Sequence, residues 1–217
     1  MKYVIAIFIS LALLSSSGKA QQGIVAGIGP TVSMKSGINA IESPPGRENK
    51  FAFGSLPDLG ITTFFEFANS EKLGAGLDLL YSSYYYDVES NADGNKYNVR
   101  VSYYSFMPYF KFDYITMGFN FGIPASAEAD DEIDVENVMM MTEFRLGFAY
   151  PILDDDSGKL SIFLNAGYML SGIYDKYTEN DPLLNVAPVP EGEITDNFNP
   201  RALSISLGFN YLVKFNI

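Results

Sequence analysis

The sequence predicts an all-β protein: an eight-stranded antiparallel up-and-down transmembrane β-barrel. Two observations lead to this prediction, the alternation of apolar and polar residues within segments and the lengths of the connections between them. Short and long connections alternate along the chain, as in outer-membrane barrels with short periplasmic turns and longer outer loops. The eight alternating segments are residues 22–35, 58–69, 73–86, 97–110, 113–123, 137–150, 160–172 and 201–216.

Residues 1–20 are predicted to be a cleaved secretory signal peptide. Lys2 supplies a positive start, residues 4–14 form an apolar run, and small residues flank Lys19 at the cleavage position. The alternative is a membrane-anchor helix, which the short run disfavours because a spanning helix needs ~20 apolar residues. We therefore predict one domain, residues 21–217, that enters the membrane by strands.

The segments differ in how clearly they alternate. Alternation is loose in the first, third, fourth and seventh, and Pro30 and Pro108 weaken two of these because proline cannot donate to a strand ladder. The fifth, sixth and eighth segments are clearer. In the eighth, the apolar residues share one parity, so they lie on one face of a strand. They are Leu203, Ile205, Leu207, Phe209, Tyr211, Val213 and Phe215.

Parity alone does not decide which face points outward. A soluble barrel of lipocalin type would turn its apolar face inward. Here the polar face consists mainly of Gly, Ser, Thr and Asn, which fit a narrow lumen, whereas a solvated face would carry more Lys and Glu. The segments are also long enough for the ~9–11 residues of a tilted membrane strand. The chain has no tryptophan and so lacks the Gly-x-Trp signature that is usual in lipocalins.

Charged residues within the segments are interpreted as facing the lumen, since charge on the lipid face is costly. We predict that five of them form an internal ion-pair network in a lumen that side chains fill. The alternative is a proton or ion path through the same residues. The five are Glu66, Asp78, Arg100, Glu143 and Arg145.

Tyrosines cluster near the segment ends, where an apolar ring and a hydroxyl suit the membrane interface. We predict interfacial girdles. The alternative is that Tyr84 and Tyr86, both on the lumen parity, form a small binding platform at the outer mouth.

With an even strand count both termini lie on the periplasmic side, and four loops face outward. These are residues 36–57, 87–96, 124–136 and 173–200. The third is acidic, which we interpret as a solvated loop; a site for divalent cations is the alternative, although the spacing matches no defined calcium loop. The fourth carries apolar residues among prolines and acids. We predict that it forms a surface for a protein partner, and a lid packed on its own barrel mouth is the alternative. The candidate anchors are Tyr174, Tyr177, Leu183, Leu184 and Phe198.

The composition argues against several classes of binding and catalysis. The net charge of −12 disfavours nucleic acid, whose binding rests on Lys and Arg neutralising phosphates. The chain has neither histidine nor cysteine, so Ser-His-Asp and Cys-His constellations are impossible. We predict no catalytic residues, no cofactor and no metal site.

Several stretches resemble the PorT-like outer-membrane β-barrel family of Bacteroidota. The stretches are residues 60–67, 72–77 and 79–83, with Leu79-Leu80-Tyr81-Ser82 matching that family's hairpin, and residues 105–112, where Pro108 and Lys111 match. The resemblance implies an eight-stranded barrel of mostly unassigned role, whose founding member is linked to type IX secretion and gliding. It implies no catalytic residue. The chain departs from the common pattern by ending Phe215-Asn216-Ile217 rather than on an aromatic residue.

The function predicted from these features is a closed, non-conducting barrel in the outer membrane. It would present its outer loops for binding or scaffolding, as an accessory of a secretion or surface complex. A narrow pore or transporter that uses the charged lumen is the second hypothesis, and a barrel enzyme is the third.

Overall fold

The computed structural model describes residues 25–43, 46–66, 73–129, 131–133, 138–174 and 199–216. The predicted signal peptide, residues 1–20, lies outside them. Within the described part of the chain, no helix is long and apolar enough to cross a membrane. The strands are β1 (Val25–Asn39), β2 (Arg47–Lys50), β3 (Ala52–Phe53), β4 (Asp58–Glu66), β5 (Leu73–Ser90), β6 (Lys96–Phe112), β7 (Ile115–Ala129), β8 (Asp131–Ile133), β9 (Met141–Asp154), β10 (Gly158–Met169) and β11 (Ala202–Asn216).

Eight strands close into a ring. The order is β1-β4-β5-β6-β7-β9-β10-β11, every pairing is antiparallel, and β11 returns to pair with β1 from Val25↔Asn216 to Asn39↔Ala202. The remaining three strands are short and lie at one end. The chain is therefore an eight-stranded up-and-down barrel, and the predicted fold class is confirmed.

The apolar face of the strands points outward. On β11, Leu207 is 53% exposed, whereas its neighbour Ser206 is 4% exposed and faces the lumen. The same alternation continues around the ring, so a band of exposed Leu, Ile, Val, Met and Phe surrounds the barrel. An apolar surface of this extent on a monomer indicates a lipid environment.

The two ends of the barrel differ. We call the end that holds Val25 and Asn216 the turn end, because two of its connections are tight: Asp113-Tyr114 and residues 155–157. Asp113 has a φ of 56°, the left-handed region that aspartate tolerates better than most residues. The other end, where the longer connections lie, is the loop end.

Several predicted outer loops are partly strand. β5 runs on to Ser90 and β6 starts at Lys96, so the predicted loop 87–96 is mostly a hairpin, and β7 continues to Ala129 inside the predicted loop 124–136. The predicted loop 36–57 contains the end of β1 together with β2 and β3. β2 pairs with the upper part of β5, from Arg47↔Ser90 to Lys50↔Asp87. We call this raised part of the sheet, with residues 82–102 of the β5–β6 hairpin at its centre, the extension.

The polarity of the strands inverts in the extension. Near the lipid band the apolar side chains point outward, but in the extension they point inward, as Val88, Val99 and Val101 show with at most 1% exposure. The charged outward side chains of the extension form ion pairs. The ion pairs are Lys50 with Glu48 and Glu89, Lys96 with Asp87, and Arg100 with Glu128. The exterior thus changes from lipid-facing to water-facing along the same two strands.

Candidate functional site

A cluster of buried polar side chains crosses the lumen near its middle. We call it the lumen girdle. Its members come from five of the eight ring strands and are all at least nine-tenths buried. They are Lys35 (β1), Asp58 (β4), Tyr84 (β5), Asn120 (β7), Glu143 and Arg145 (β9).

Glu143 is the centre of the girdle. Its Oε2 accepts hydrogen bonds from the Tyr84 hydroxyl at 2.7 Å and from Asn120 Nδ2 at 3.2 Å, and it pairs with Arg145 Nη2 at 2.6 Å. Ser204 Oγ donates to the other carboxylate oxygen at 3.2 Å. A buried carboxylate with this many partners is the arrangement in which a charge is retained in a low-dielectric interior.

Lys35 and Asp58 form the second charge pair, with Nζ and Oδ2 2.8 Å apart. Lys35 Nζ also donates to Ser82 Oγ and lies 3.7 Å from the centroid of the Tyr84 ring, a cation–π contact. The second oxygen of Asp58 accepts the backbone N–H of Ser83 at 2.8 Å. Tyr84 therefore joins the two ion pairs, by its ring on one side and by its hydroxyl on the other.

Glycine makes room for this packing. A Cβ added at Gly167 on β10 would lie 1.9 Å from Glu143 Oε1 and 2.8 Å from Ser204 Oγ. Since Cβ atoms do not approach heavy atoms so closely, the carboxylate occupies the volume that any larger residue at position 167 would need.

An apolar core fills the lumen on the loop-end side of the girdle. Tyr86, Tyr103, Met141, Met169 and Ile173 are all at most 1% exposed and belong to one cluster. The alternative of an exposed platform at Tyr84 and Tyr86 does not fit, because both rings are buried. Side chains therefore close this half of the lumen.

On the turn-end side the lumen holds a cavity of about 60 Å³, which we call the turn-end chamber. Its wall is mixed, with polar side chains interspersed among apolar ones such as Phe64, Met107 and Leu212. Asp78 Oδ1 and Asn210 Oδ1, from two of the lining residues, have no hydrogen-bond partner in the described part of the chain. The polar lining residues include Thr31, Thr62, Asp78, Lys111, Lys159 and Asn210.

The mouth of this chamber carries a looser charge cluster. Lys111 Nζ and Lys159 Nζ lie 3.7 and 3.5 Å from the same oxygen of Glu66. Lys159 is also 3.3 Å from Asp154, which pairs with Lys214. The contacts of Lys111 and Lys159 are longer than the 2.7–2.9 Å of strong charge-assisted hydrogen bonds, whereas Asp154 and Lys214 are in close contact.

The structure distributes the five predicted network residues over several places. Glu143 and Arg145 are in direct contact in the girdle. Glu66 lies at the turn-end mouth, and Asp78 lines the chamber. Arg100 lies on the outward parity of β6, between buried Val99 and Val101, and pairs with Glu128. It does not face the lumen because the strand polarity has already inverted at that height.

Sequence reasoning missed Lys35, Asp58 and Asn120 in the girdle, and Lys111 and Lys159 at the chamber mouth. A signal for Lys35 was present, since it shares the parity of Thr31 and Ser33 in the first segment. Asp58 opens the second segment on the same parity as Glu66. Their pairing depends on the register Ser33↔Asp58, which the sequence does not specify.

Of the five candidate partner residues on the fourth loop, the structure describes Tyr174 alone; Tyr177, Leu183, Leu184 and Phe198 lie outside the described residues. Tyr174 is buried, and its hydroxyl oxygen is 3.2 Å from that of Tyr86. Asn199 ties the base of the loop by accepting the Tyr174 N–H at 3.0 Å and donating to the Tyr174 carbonyl at 2.8 Å. Among the described residues, no group of three acidic side chains is arranged to hold a metal ion.

Comparison with solved structures finds outer-membrane proteins at low identity. OprG from Pseudomonas aeruginosa is 10% identical, with 90% of this chain and 97% of that chain covered and a TM-score of 0.35. Ail of Yersinia pestis, solved with the heparin analogue sucrose octasulfate, is 8% identical, with 88% of this chain and 99% of that chain covered and a TM-score of 0.34. The outer membrane protease OmpT of Escherichia coli is 7% identical, with 90% of this chain and 98% of that chain covered and a TM-score of 0.31.

No family model matches the sequence, and no curated protein matches it. The resemblance to the PorT-like family therefore stays a prediction.

Proposed function

We propose that this chain is a closed, non-conducting barrel of the bacterial outer membrane that presents its loop end to a protein partner. The lumen girdle is the observation that supports this most directly. It joins two buried ion pairs across the bore, with a packed aromatic core beside it. An eight-stranded barrel has an interior only wide enough for side chains.

The polarity inversion along β5 and β6 supports the membrane placement. The exterior of these strands is apolar around Leu79 and Phe106 and carries ion pairs beyond Tyr81 and Tyr104. Paired tyrosines at the change fit the headgroup region; the Tyr81 and Tyr104 ring centroids are 5.4 Å apart. We assign the turn end to the periplasm and the loop end to the cell exterior, as in barrels with short periplasmic turns.

The role assigned to the loop end rests on residues 173–200. The charges on the exterior of the extension are paired internally, so they leave little for a partner to satisfy. The fourth loop instead combines apolar residues with acids, the pattern of anchors within a polar rim. Export through a cleaved signal peptide, residues 1–20, and membership of a PorT-like family are parts of the same proposal.

A conductance measurement tests the closed lumen. Purified protein inserted in planar bilayers should show no stable nanosiemens openings, whereas a large porin inserted in the same bilayers should. Stable openings of that size from the wild-type chain would contradict the proposal and favour the second hypothesis, a narrow pore through the charged lumen.

A loop replacement tests the partner surface. Residues 175–198 are exchanged for a short Gly-Ser linker, which keeps the Tyr174–Asn199 contacts at the loop base. Crosslinked partners seen in intact cells with the wild-type chain should be lost. The control is Asp93→Ser in the hairpin tip, which should leave them in place. Recovery of the same partners with the linker variant would place the interaction elsewhere.

A further inference from the structure

The mouth of the turn-end chamber holds two ammonium groups whose contacts with carboxylates are all longer than 3 Å, since Lys159 Nζ also lies 3.3 Å from Asp154. Lys111 and Lys159 converge on the Phe64 ring, with Nζ atoms 4.9 and 5.8 Å from its centroid, and they share one oxygen of Glu66 at 3.7 and 3.5 Å. Both side chains are largely withdrawn from solvent, at 13% and 9% exposure. Asp154 also pairs with Lys214, so the three ammonium groups of Lys111, Lys159 and Lys214 share two carboxylates and are incompletely neutralised.

The lysines and the chamber's carboxylate lie at different depths. Lys111 is opposite Gly74 on β5, and Asp78 is four positions farther from the turn end on the same strand, roughly 13 Å along it at the usual rise. An anion at the mouth would therefore meet the ammonium groups first. Asp78 would repel it from deeper positions and so confine it to the mouth.

The remaining wall supplies hydrogen-bond donors. Thr116, Ser161 and Asn165 line the same cavity, and hydroxyl or amide groups of this kind donate to oxyanions alongside lysine. A cavity volume of about 60 Å³ leaves room for one small ionic group.

We propose that the turn-end chamber is a binding site for a small oxyanion, of the carboxylate or phosphate class, held between Lys111 and Lys159. Both side chains point into the lumen, so the anion comes from the aqueous phase at the turn end and not from a lipid headgroup. The site does not depend on the lumen being closed to ions, and the conductance measurement above neither supports nor contradicts it.

The test is NMR of the folded, 15N-labelled barrel in neutral detergent micelles, titrated with inorganic phosphate and then with acetate at constant sodium concentration. We expect saturable shifts confined to the turn end, at Gly74, Lys111, Gly158 and Lys159. Lys111→Gln and Lys159→Gln should each weaken binding roughly tenfold, the usual effect of losing one hydrogen bond to a charged group.

Two further variants decide between explanations. Lys50→Gln, in an exposed ion pair at the loop end, should leave binding unchanged. Asp78→Asn should leave it unchanged or tighten it, because a repelling charge is removed. Loss of binding in Asp78→Asn would overturn the proposal in favour of a cation held by Asp78 and Asn210. Absence of saturable shifts, or shifts that survive the loss of both lysines, would also overturn it.

Discussion

The two halves of the lumen differ in how they are filled, although the same eight strands line both. In the loop-end half, Tyr86, Tyr103 and Met141 pack on the girdle and leave no bore. In the turn-end half, Thr31, Thr62 and Ser161 stand at equivalent inward positions and leave a chamber. Strand number therefore sets the largest bore that is available, and side-chain size decides how much of it stays open.

The ion pairs of the girdle and of the turn-end half also differ, in burial and in length. Girdle pairs are buried and within 2.6–2.8 Å, whereas the turn-end pairs on Glu66 are partly exposed and 3.5–3.7 Å long. The predictions below test this contrast, from the largest expected effect to the smallest.

The largest effect is expected for Glu143→Gln. It leaves the buried Arg145 without its counter-charge, and breaking a buried pair in this way costs about 3–5 kcal/mol. The measurement is urea unfolding in lipid vesicles, followed by gel migration with and without boiling. Glu66→Gln is the matched control and should cost at most about 1 kcal/mol, because its pairs are long and partly exposed. Equal costs would mean that the two halves do not differ electrostatically.

Leu207→Arg tests whether the apolar face of β11 points outward to the lipid. The side chain projects from the lipid band, where arginine costs about 2–4 kcal/mol near the bilayer midplane. Ser206→Ala, one residue away and facing the lumen, should change the unfolding free energy far less. Refolding yield into vesicles measures both, and similar yields would show that the faces are reversed.

Gly167→Ala tests how tightly the girdle is packed around Glu143. The new Cβ would fall on Glu143 Oε1, so overpacking of about 1–3 kcal/mol is expected. Gly27→Ala is the control at the turn end, where the nearest heavy atom would be Leu212 Cβ at 3.2 Å, and its cost should be smaller. A larger cost at Gly27 would show that the Glu143 carboxylate moves aside for the new Cβ without loss of stability.

The smallest effect concerns the pH dependence of the turn at residues 155–157. The Ser157 hydroxyl and the N–H groups of Ser157 and Gly158 lower the pKa of Asp155 below its usual value. Because the folded-state pKa is depressed, this contribution to stability is complete above the unfolded-state pKa and is lost as the pH falls through the folded one. Amide shifts of Ser157 and Gly158 should titrate below the ordinary range of aspartate. Asp155→Asn should abolish that titration.

The strands were predictable from the sequence because a period of two is clear in the fifth, sixth and eighth segments and detectable in the looser ones, and a lipid-facing side must be apolar whatever lies inside. The loop boundaries were not, because the period continues beyond the membrane with its polarity reversed. Arg100 is an example. It was expected to face the lumen because charged strand residues such as Glu143 do, but above the lipid band the polar side of the strand is the outer one.

Only some of the contacts in the girdle could be predicted from the sequence. Glu143 and Arg145 are two residues apart on one strand, so their neighbourhood follows from local geometry. Lys35 and Asp58 meet through the β1–β4 register, and Tyr84 meets Glu143 across the lumen. Contacts across a closed ring depend on how the strands are staggered, which the hydrophobic pattern leaves undetermined.

The alternation of outward and inward side chains also has a consequence for export across the inner membrane. In β7 and β11 a lipid-facing residue is followed at almost every step by Gly, Ser, Thr or Asn, so the strands lack the run of ~20 apolar residues by which an inner-membrane helix is retained. A chain with this pattern can pass through an export channel without being arrested there. Its membrane-seeking surface exists only after the ring has closed, so insertion is coupled to folding at the destination.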